Sequence, residues 1–396
     1  MKFSVSIDFF YLRWYNITVE KIISEGLCMT KIKKILLSNT VLLVAVLAAV
    51  VTMFFVPPDK EYIGYFDFKT LTCLFCVLAV VNALGNVRVF TVLAKKIILF
   101  FGTRRNMIIA LVYITFIGSM LIANDMALIT FLPLGYFVLE KTNDRKDMAF
   151  TFIMQNIAAN LGGMLTPFGN PQNLYIYTAF NIPTGEFMLI MLPAFVFSVT
   201  IITGMCFFVK NEKVSIDDSD DKITDVRRLI VYSIMFVFAI AIAFRFIPYQ
   251  LGPVIIVPTL LFLDREALKK TDYGLLFTFV AFFVFSGNMA RIPAVRELFS
   301  SLLSKDTLLV STLSCQIISN VPTAILLGQF ADNYRELLMG VNIGGVGTLI
   351  SSLASLITFR EYGKRNPGKT GSYIALFSLI NFAMLIALII FCEIIK

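Results

Sequence analysis

The residues able to do chemistry in this chain are mostly amides, and they sit inside apolar runs where polar groups are costly. Ala123-Asn124-Asp125 interrupts a run at 107–139, and Ser319-Asn320-Val321-Pro322 interrupts another at 307–330. Asn160-Leu161-Gly162-Gly163-Met164-Leu165-Thr166 returns 182 residues later as Asn342-Ile343-Gly344-Gly345-Val346-Gly347-Thr348, a shared N-[LI]-G-G-x-x-T. Each copy continues into a polar stretch. The first is Thr166-Pro167-Phe168-Gly169-Asn170-Pro171-Gln172-Asn173, the second Thr348-Leu349-Ile350-Ser351-Ser352-Leu353-Ala354-Ser355. Amides and hydroxyls in such numbers bind ions and small polar solutes through donors and lone pairs. The chain has no His, which excludes a Ser-His-Asp triad, a Cys-His pair and an imidazole metal site or proton relay. No Ser–Lys or paired-carboxylate set lies within the apolar runs. The residues point to a protein that binds and carries, not an enzyme.

Asp125 is the one acidic residue deep inside an apolar run. A carboxyl held away from water there is a functional candidate. It could bind sodium or carry a coupled proton, and it could equally cap a helix that restarts at the polar tip. A fixed negative charge would repel an anionic solute unless it is protonated or paired, which points to cation coupling.

The elements that position these residues follow from composition. Hydrophobic residues make up 58% of the 396 and charged ones 15%, against roughly 25% charged in ordinary soluble domains. Mean hydropathy is +0.82. Apolar runs long enough to span a bilayer, about 20 residues, occur at 35–56, 70–87, 107–139, 148–180, 188–209, 229–247, 273–290, 307–330, 337–359 and 371–395, with a shorter one at 251–263. After the N-terminal segment the longest polar interval is Lys210–Arg228, too short for an extramembrane domain. The chain reads as an all-α polytopic membrane protein. Its formal charge of +8 needs no nucleic acid, because the excess lies in alternate loops. With the N-terminus inside, the inside loops hold 23 Lys and Arg and the outside loops with Lys396 hold 8. That is the positive-inside pattern for N-in, C-out.

The tally works only if 107–139 and 307–330 each enter and leave on one side. The first is flanked by Arg104 and Arg105 before and by Lys141, Arg145 and Lys146 after. The spacing predicts two re-entrant helical hairpins with polar tips; two kinked spans are the plainer alternative. Pro322 suits the first turn of a restarting helix. With the repeated N-[LI]-G-G-x-x-T, this predicts two inverted repeats and two glycine-broken helices. Residues 31–209 form the first repeat (hairpin 107–139, broken helix 148–180) and 210–228 a cytoplasmic linker. Residues 229–396 form the second (hairpin 307–330, broken helix 337–359). Phe66-Asp67-Phe68 resembles Thr271-Asp272-Tyr273 ahead of the preceding span, while the span at 229–247 has no evident counterpart. Inverted repeats with discontinuous helices are a signature of secondary transporters. The expected breaks are at Asn160, Gly162, Gly163, Thr166 and Pro167, and at Asn342, Gly344, Gly345 and Thr348. Close helix packing is the alternative use of those glycines, but it leaves Asn170, Gln172 and Asn173 without a role.

At these motifs the chain resembles the ion transporter superfamily: divalent-anion:sodium symporters, citrate transporters, arsenite permeases and sodium/proton exchangers. The match lies in T-P-x-G-x-P-x-N (Thr166 to Asn173), the tip Ser319-Asn320, and N-x-G-G followed by Ser352-Leu353-Ala354-Ser355-Leu356. Small bacterial anion permeases look most similar, which implies the cytoplasmic membrane of a prokaryote. The resemblance implies a homodimer in which a mobile part slides as an elevator against a scaffold. It also implies a small anionic substrate (a di- or tricarboxylate or an inorganic oxyanion) held between the tips, with sodium or proton coupling and no other cofactor. The substrate set would be Asn124, Ser319, Asn320, Thr323, Asn170, Gln172, Asn173 and Ser355. The coupling-ion set would be Asn124, Asp125, Gly169, Asn320, Ser351 and Ser352. The symporter tip reads Ser-Asn-Thr; here the third positions are Asp125 and Val321, so two hydroxyls offered to carboxylates are missing. Arsenite or antimonite efflux, or sodium/proton exchange on Asp125, is the alternative within the superfamily.

Two further patterns carry less. Gly363-Lys364-Arg365-Asn366-Pro367-Gly368-Lys369-Thr370 fits the phosphate-binding G-x-x-x-x-G-K-[ST] but lies in a basic loop between spans, without the strand that motif needs. Cys73 and Cys76 form a C-x-x-C inside an apolar run, where small buried hydrophobes are expected. Residues 1–30 lack a spanning run; they read either as an interfacial segment or as sequence ahead of a natural start at Met29. In an exchanger centred on Asp125, Asp125→Asn abolishes sodium-dependent proton flux in proteoliposomes; flux that survives the substitution rules that version out.

Overall fold

The computed structural model describes residues 40–141, 147–213 and 225–396. The expected N-terminal segment, Lys31, Lys33 and Lys34, the loop at 142–146 and most of the 210–228 linker lie outside the described residues. In chain order the helices are α1 (Thr40–Met53), α2 (Phe68–Asn86), α3 (Val89–Leu99), α4 (Arg104–Ile122), α5 (Asn124–Lys141), α6 (Met148–Gly162), α7 (Pro171–Ala179) and α8 (Thr184–Cys206). The second half follows as α9 (Val226–Ala243), α10 (Leu251–Leu263), α11 (Arg265–Lys270), α12 (Tyr273–Arg291), α13 (Pro293–Leu303), α14 (Thr307–Ile318), α15 (Asn320–Leu327), α16 (Tyr334–Ile343), α17 (Leu353–Arg365) and α18 (Thr370–Ile395). Among the described residues the only β-type pairing is an isolated bridge between Thr103 and Lys213.

Six of these helices, α2, α4, α8, α9, α12 and α18, are long and apolar enough to cross a membrane. The long helices are apolar on the outside as well as the inside. Helix α18 buries Phe377, Asn381, Met384 and Leu388 while exposing Leu379, Ile386, Ile390 and Ile394. A helix in water turns a polar face outward; one that exposes Leu and Ile has hydrocarbon as its solvent. This is an all-α polytopic membrane protein.

The two halves use the same parts in the same order. Helices α2 and α12 both span 19 residues and start on an aspartate cap: Asp67 accepts from Thr70 N–H at 3.1 Å and Asp272 from Leu275 N–H at 2.9 Å. Short helices of 11 residues follow, α3 and α13. Then come the pairs α4/α5 and α14/α15, the interrupted pairs α6/α7 and α16/α17, and the long α8 and α18. Ahead of this order the first half has α1 among the described residues, and the second has α9, α10 and α11. The leading helices are exchanged. Helix α1 packs on α12, where Asn288 Nδ2 donates to Thr52 Oγ1 at 3.1 Å. Helix α10 packs on α2, and Gly252 leaves the room that Cys76 Sγ fills. Cys73 and Cys76 are both buried, unpaired thiols. The phosphate-binding look-alike is the last turn of α17 and the turn into α18, with no strand before it.

Both helix pairs turn on one residue. Helix α4 stops at Ile122, Ala123 takes φ 68° and ψ 151°, and α5 begins at Asn124. Helix α14 stops at Ile318, Ser319 takes φ 77° and ψ 157°, and α15 begins at Asn320. That region is essentially reserved for glycine and costs an L-residue about 1–3 kcal/mol. The strain recurs at two positions related by the same 196-residue offset as Asn124 and Asn320. Ala123→Gly should therefore raise the thermal midpoint in detergent, since the relief exceeds the roughly 0.5–1 kcal/mol a new glycine costs in entropy. Gly162→Ala should cost about 1–3 kcal/mol of stability and lower that midpoint, because its Cβ would stand 2.3 Å from the Phe116 carbonyl oxygen.

Candidate functional site

The glycine-broken helices part where the sequence places their glycines. Helix α6 ends at Gly162, passes through a 3-10 turn at Gly163–Leu165, and leaves Thr166 extended. Asn170 is the extended residue before α7, with Pro171 in its first turn. Helix α16 ends at Ile343, and α17 restarts after Ser352, whose hydroxyl caps Ala354 N–H at 3.2 Å. Between them Gly347 has φ +130°, and a Cβ there would stand 2.2 Å from Gln316 Oε1, so only glycine fits.

Each tip is fastened to the broken helix of its own half, and the two halves do so with the same bonds. Asn124 N–H donates to the Gly169 carbonyl at 3.1 Å, and Asn320 N–H to the Ser351 carbonyl at 2.9 Å. Thr166 Oγ1 donates to the Met120 carbonyl at 2.8 Å, and Thr348 Oγ1 to the Gln316 carbonyl at 3.1 Å. In both pairs the hairpin residues are 196 apart and the broken-helix residues 182 apart.

The halves are then joined crosswise. Ser352 Oγ, at the start of α17, donates to Asn160 Oδ1 in α6 at 2.8 Å. Asn170 Nδ2, at the start of α7, donates to Asn342 Oδ1 in α16 at 3.3 Å. Positions 160 and 342 correspond at an offset of 182, and so do 170 and 352; each broken helix holds the restart of the other. Asn342 Nδ2 also donates to Asn173 Oδ1 at 2.6 Å, and Asn124 Nδ2 to Asn160 Oδ1 at 3.4 Å. Asn320 Nδ2 lies 3.0 Å from where a Cβ on Gly345 would be, and Asn160 Oδ1 3.5 Å from it. Asn124, Asn320, Asn160, Asn342, Asn170, Asn173, Gly345 and Ser352 are thereby brought together, and their side chains are buried. Gly169 keeps its place by having no side chain: a Cβ would be 2.4 Å from the Gly163 carbonyl oxygen.

The expected residues make further bonds around the cluster. Asn173 Nδ2 donates inward to the Gly163 carbonyl at 3.1 Å, so it braces the break. Thr323 Oγ1 donates to the Ser319 carbonyl at 2.7 Å within its own turn, and Ser351 Oγ to the Gly345 carbonyl at 2.9 Å. Ser355 Oγ accepts from Asn156 Nδ2 at 3.2 Å. Ser319 Oγ reaches the Ser351 carbonyl at 3.3 Å. Pro167 lies in the non-helical link between α6 and α7. Two residues were not anticipated. Gln316 closes the second break by donating to the Gly344 and Val346 carbonyls at 2.9 and 3.2 Å and accepting Thr348 N–H at 2.9 Å. Asn156 links α6 to α17. Asn156 lies four residues before Asn160, one helical turn back on the same face of α6, which is the signal that could have found it; Gln316 and Asn320 lie on different helices, so no such signal marks Gln316.

The chemistry of the cluster is asymmetric. Four helix N-termini meet it, those of α5, α15, α7 and α17, each carrying roughly half a positive charge. Asn170 Oδ1, in the cluster, is buried without a hydrogen-bond partner, and so are Asp125 Oδ1, on the residue after Asn124, and Gln172 Oε1, two residues after Asn170. Helix starts attract anions; unfilled oxygen lone pairs beside broken helices suit a cation. If Asn173 braces the first break, Asn173→Leu strands its carbonyls and lowers stability by about 1–3 kcal/mol, read as a drop in the detergent unfolding midpoint.

A family model described as a citrate transporter matches residues 26–336. Over 331 residues the chain is 31% identical to the uncharacterized transporter MJ0456 of Methanocaldococcus jannaschii, covering 83% of this chain and 90% of that one. It is 27% identical over 328 residues to the inner membrane protein YbiR of Escherichia coli, covering 81% and 87%. The silicon efflux transporter LSI3 of Oryza sativa is 29% identical over 171 residues, 42% of this chain and 34% of that protein. The protein is a multi-pass transporter for a small substrate in a lipid bilayer, not an enzyme. With most of its length matched by that model, and with a relative above 30% identity over most of both chains, this chain belongs to the citrate transporter family.

Proposed function

We propose that the protein is a secondary active carrier of a small anion, a di- or tricarboxylate or an inorganic oxyanion. It is coupled to sodium or protons and works by elevator-type alternating access across a prokaryotic cytoplasmic membrane. The observation that carries this reading is the crossed cluster, where four helix N-termini meet and where Asn170 Oδ1 lacks a hydrogen-bond partner, as do Asp125 Oδ1 and Gln172 Oε1 in the adjoining first turns. The helix starts favour the negative solute and the oxygens favour a cation travelling with it. Asn124 and Asn320 contact the substrate; Asp125, Gly169, Ser351 and Ser352 belong to the cation sites. Inverted repeats, an N-in, C-out topology and a homodimer complete the proposal.

A second reading has its own observation. Asp125 Oδ1 is buried and unpartnered, and no Lys or Arg belongs to the cluster as built. An exchanger of sodium for protons on Asp125 fits that, as does efflux of a hydroxyl-rich oxyacid such as arsenite or antimonite. A relative over part of the chain is named for silicon efflux. Transient currents from proteoliposomes on a solid-supported membrane separate the readings. Succinate, citrate and arsenite are applied with and without sodium at two pH values. The expected result is a current that needs both an organic anion and sodium, with Asn124→Ala or Asn320→Ala reducing it roughly tenfold or more. A current driven by sodium or pH alone, and lost in Asp125→Asn, overturns the symport reading in favour of exchange.

A further inference from the structure

The two halves share the bonds that fasten each tip and hold each restart but differ one turn away from the site. Helices α5 and α17 both start in the cluster and run alongside each other toward Lys141 and Arg365. Between them lies an open cavity of about 270 Å³, whose lining includes Leu128, Leu132 and Pro133 on α5 and Ile357, Arg360, Glu361 and Lys364 on α17. Leu128 is four residues beyond Asn124, so the cavity begins about 6 Å along the axis from the helix start. The counterparts of these positions, at the offsets of 196 and 182, fall at the C-terminal end of α15 or just beyond it, and on α7. Leu132 corresponds to Gly328, Pro133 to Gln329, Ile357 to Tyr175 and Arg360 to Thr178.

That second passage is shut. Tyr175 fills it: its ring stands 3.0 Å from where a Cβ on Gly328 would lie, and its hydroxyl accepts from Gln329 Nε2 at 3.2 Å. Thr178 is held by Asp67 of α2, its hydroxyl 2.7 Å from Oδ2. At the matching place in the open passage Arg360 is exposed. Glu361 beside it is taken by Arg365 at 2.6 Å and Lys364 at 3.5 Å, and Arg360 itself makes no ion pair among the described residues.

We propose that the crevice between α5 and α17 is the passage by which a small anion reaches the site from one side, and that Arg360 draws the anion into it, while Tyr175 closes the equivalent passage on the other side. The chemistry recognised is a small solvated carboxylate or oxyanion; this rests on the anion-carrier reading. A free guanidinium at the mouth of a low-dielectric crevice raises the local anion concentration and the on-rate.

The test is independent of transport. In a background with its cysteines replaced, Ile357→Cys is treated in proteoliposomes with small thiol reagents of negative and of positive charge. The negative reagent should react about tenfold faster relative to its rate with a free thiol. Arg360→Gln should erase that preference and Arg360→Lys restore it. Thr178→Cys, at the matching position, should react at least tenfold more slowly with both reagents. An unreactive Ile357→Cys, or a charge preference unchanged by Arg360→Gln, overturns the proposal. Labelling as expected in a protein that moves no anion in any flux assay supports the passage and overturns the carrier reading instead.

Discussion

A helix broken inside a membrane strands its own backbone groups, and hydrocarbon offers them nothing. Everything else in this structure answers that constraint. Four helix starts meet at the site: those of α5 and α15 bond to the broken helix of their own half, and those of α7 and α17 are held by asparagines of the other half. The crossed pair, Ser352 with Asn160 and Asn170 with Asn342, is the centre of the arrangement. It makes the restart of each broken helix depend on the opposite repeat, so neither half can form its break alone. The exchange of α1 and α10 between the halves repeats that dependence at the periphery.

The same constraint produces the binding chemistry. Satisfying a break with side-chain amides costs no net charge, so the helix dipoles at α15, α7 and α17 meet no acidic side chain in their first turns and remain available to an anion, while α5 carries Asp125 in its first turn. Amides also bring two kinds of atom. Their N–H groups are consumed in the crosswise bonds and in bracing carbonyls, while Asn170 Oδ1 and Gln172 Oε1 are left without donors. Asp125 adds a third such oxygen. A site that has spent its donors and kept its acceptors offers lone pairs beside helix N-termini.

The breaks were legible in the sequence because glycine, proline and asparagine at membrane depth have few uses that do not interrupt a helix. The N-[LI]-G-G-x-x-T repeat gave the correspondence of the halves, and hairpin turns fall at Ala123 and Ser319, within the expected tips. Contacts between distant segments were not legible. Gln316 lies inside an apolar run where its amide looks incidental, yet it serves three backbone groups of the second break. Tyr175 reads as one more aromatic residue, and nothing local reveals that Gly328 makes room for it. Asp67 was matched to Asp272 by its neighbours in sequence, but its bond to Thr178, 111 residues on, is tertiary. The exchange of α1 and α10 is hidden for the same reason: apolar patterning says that a helix is covered, not by which partner.

The most direct test of the crossed cluster is a pair of double-mutant cycles read as thermal unfolding midpoints in detergent, one on Asn160→Ala with Ser352→Ala and one on Asn342→Ala with Asn170→Ala. The account predicts that both pairs are coupled by about 1 kcal/mol, and that Asn160→Ala combined with a distant substitution such as Gly371→Ala is additive. Additivity within both crossed pairs would contradict it, since the halves would then hold their breaks independently.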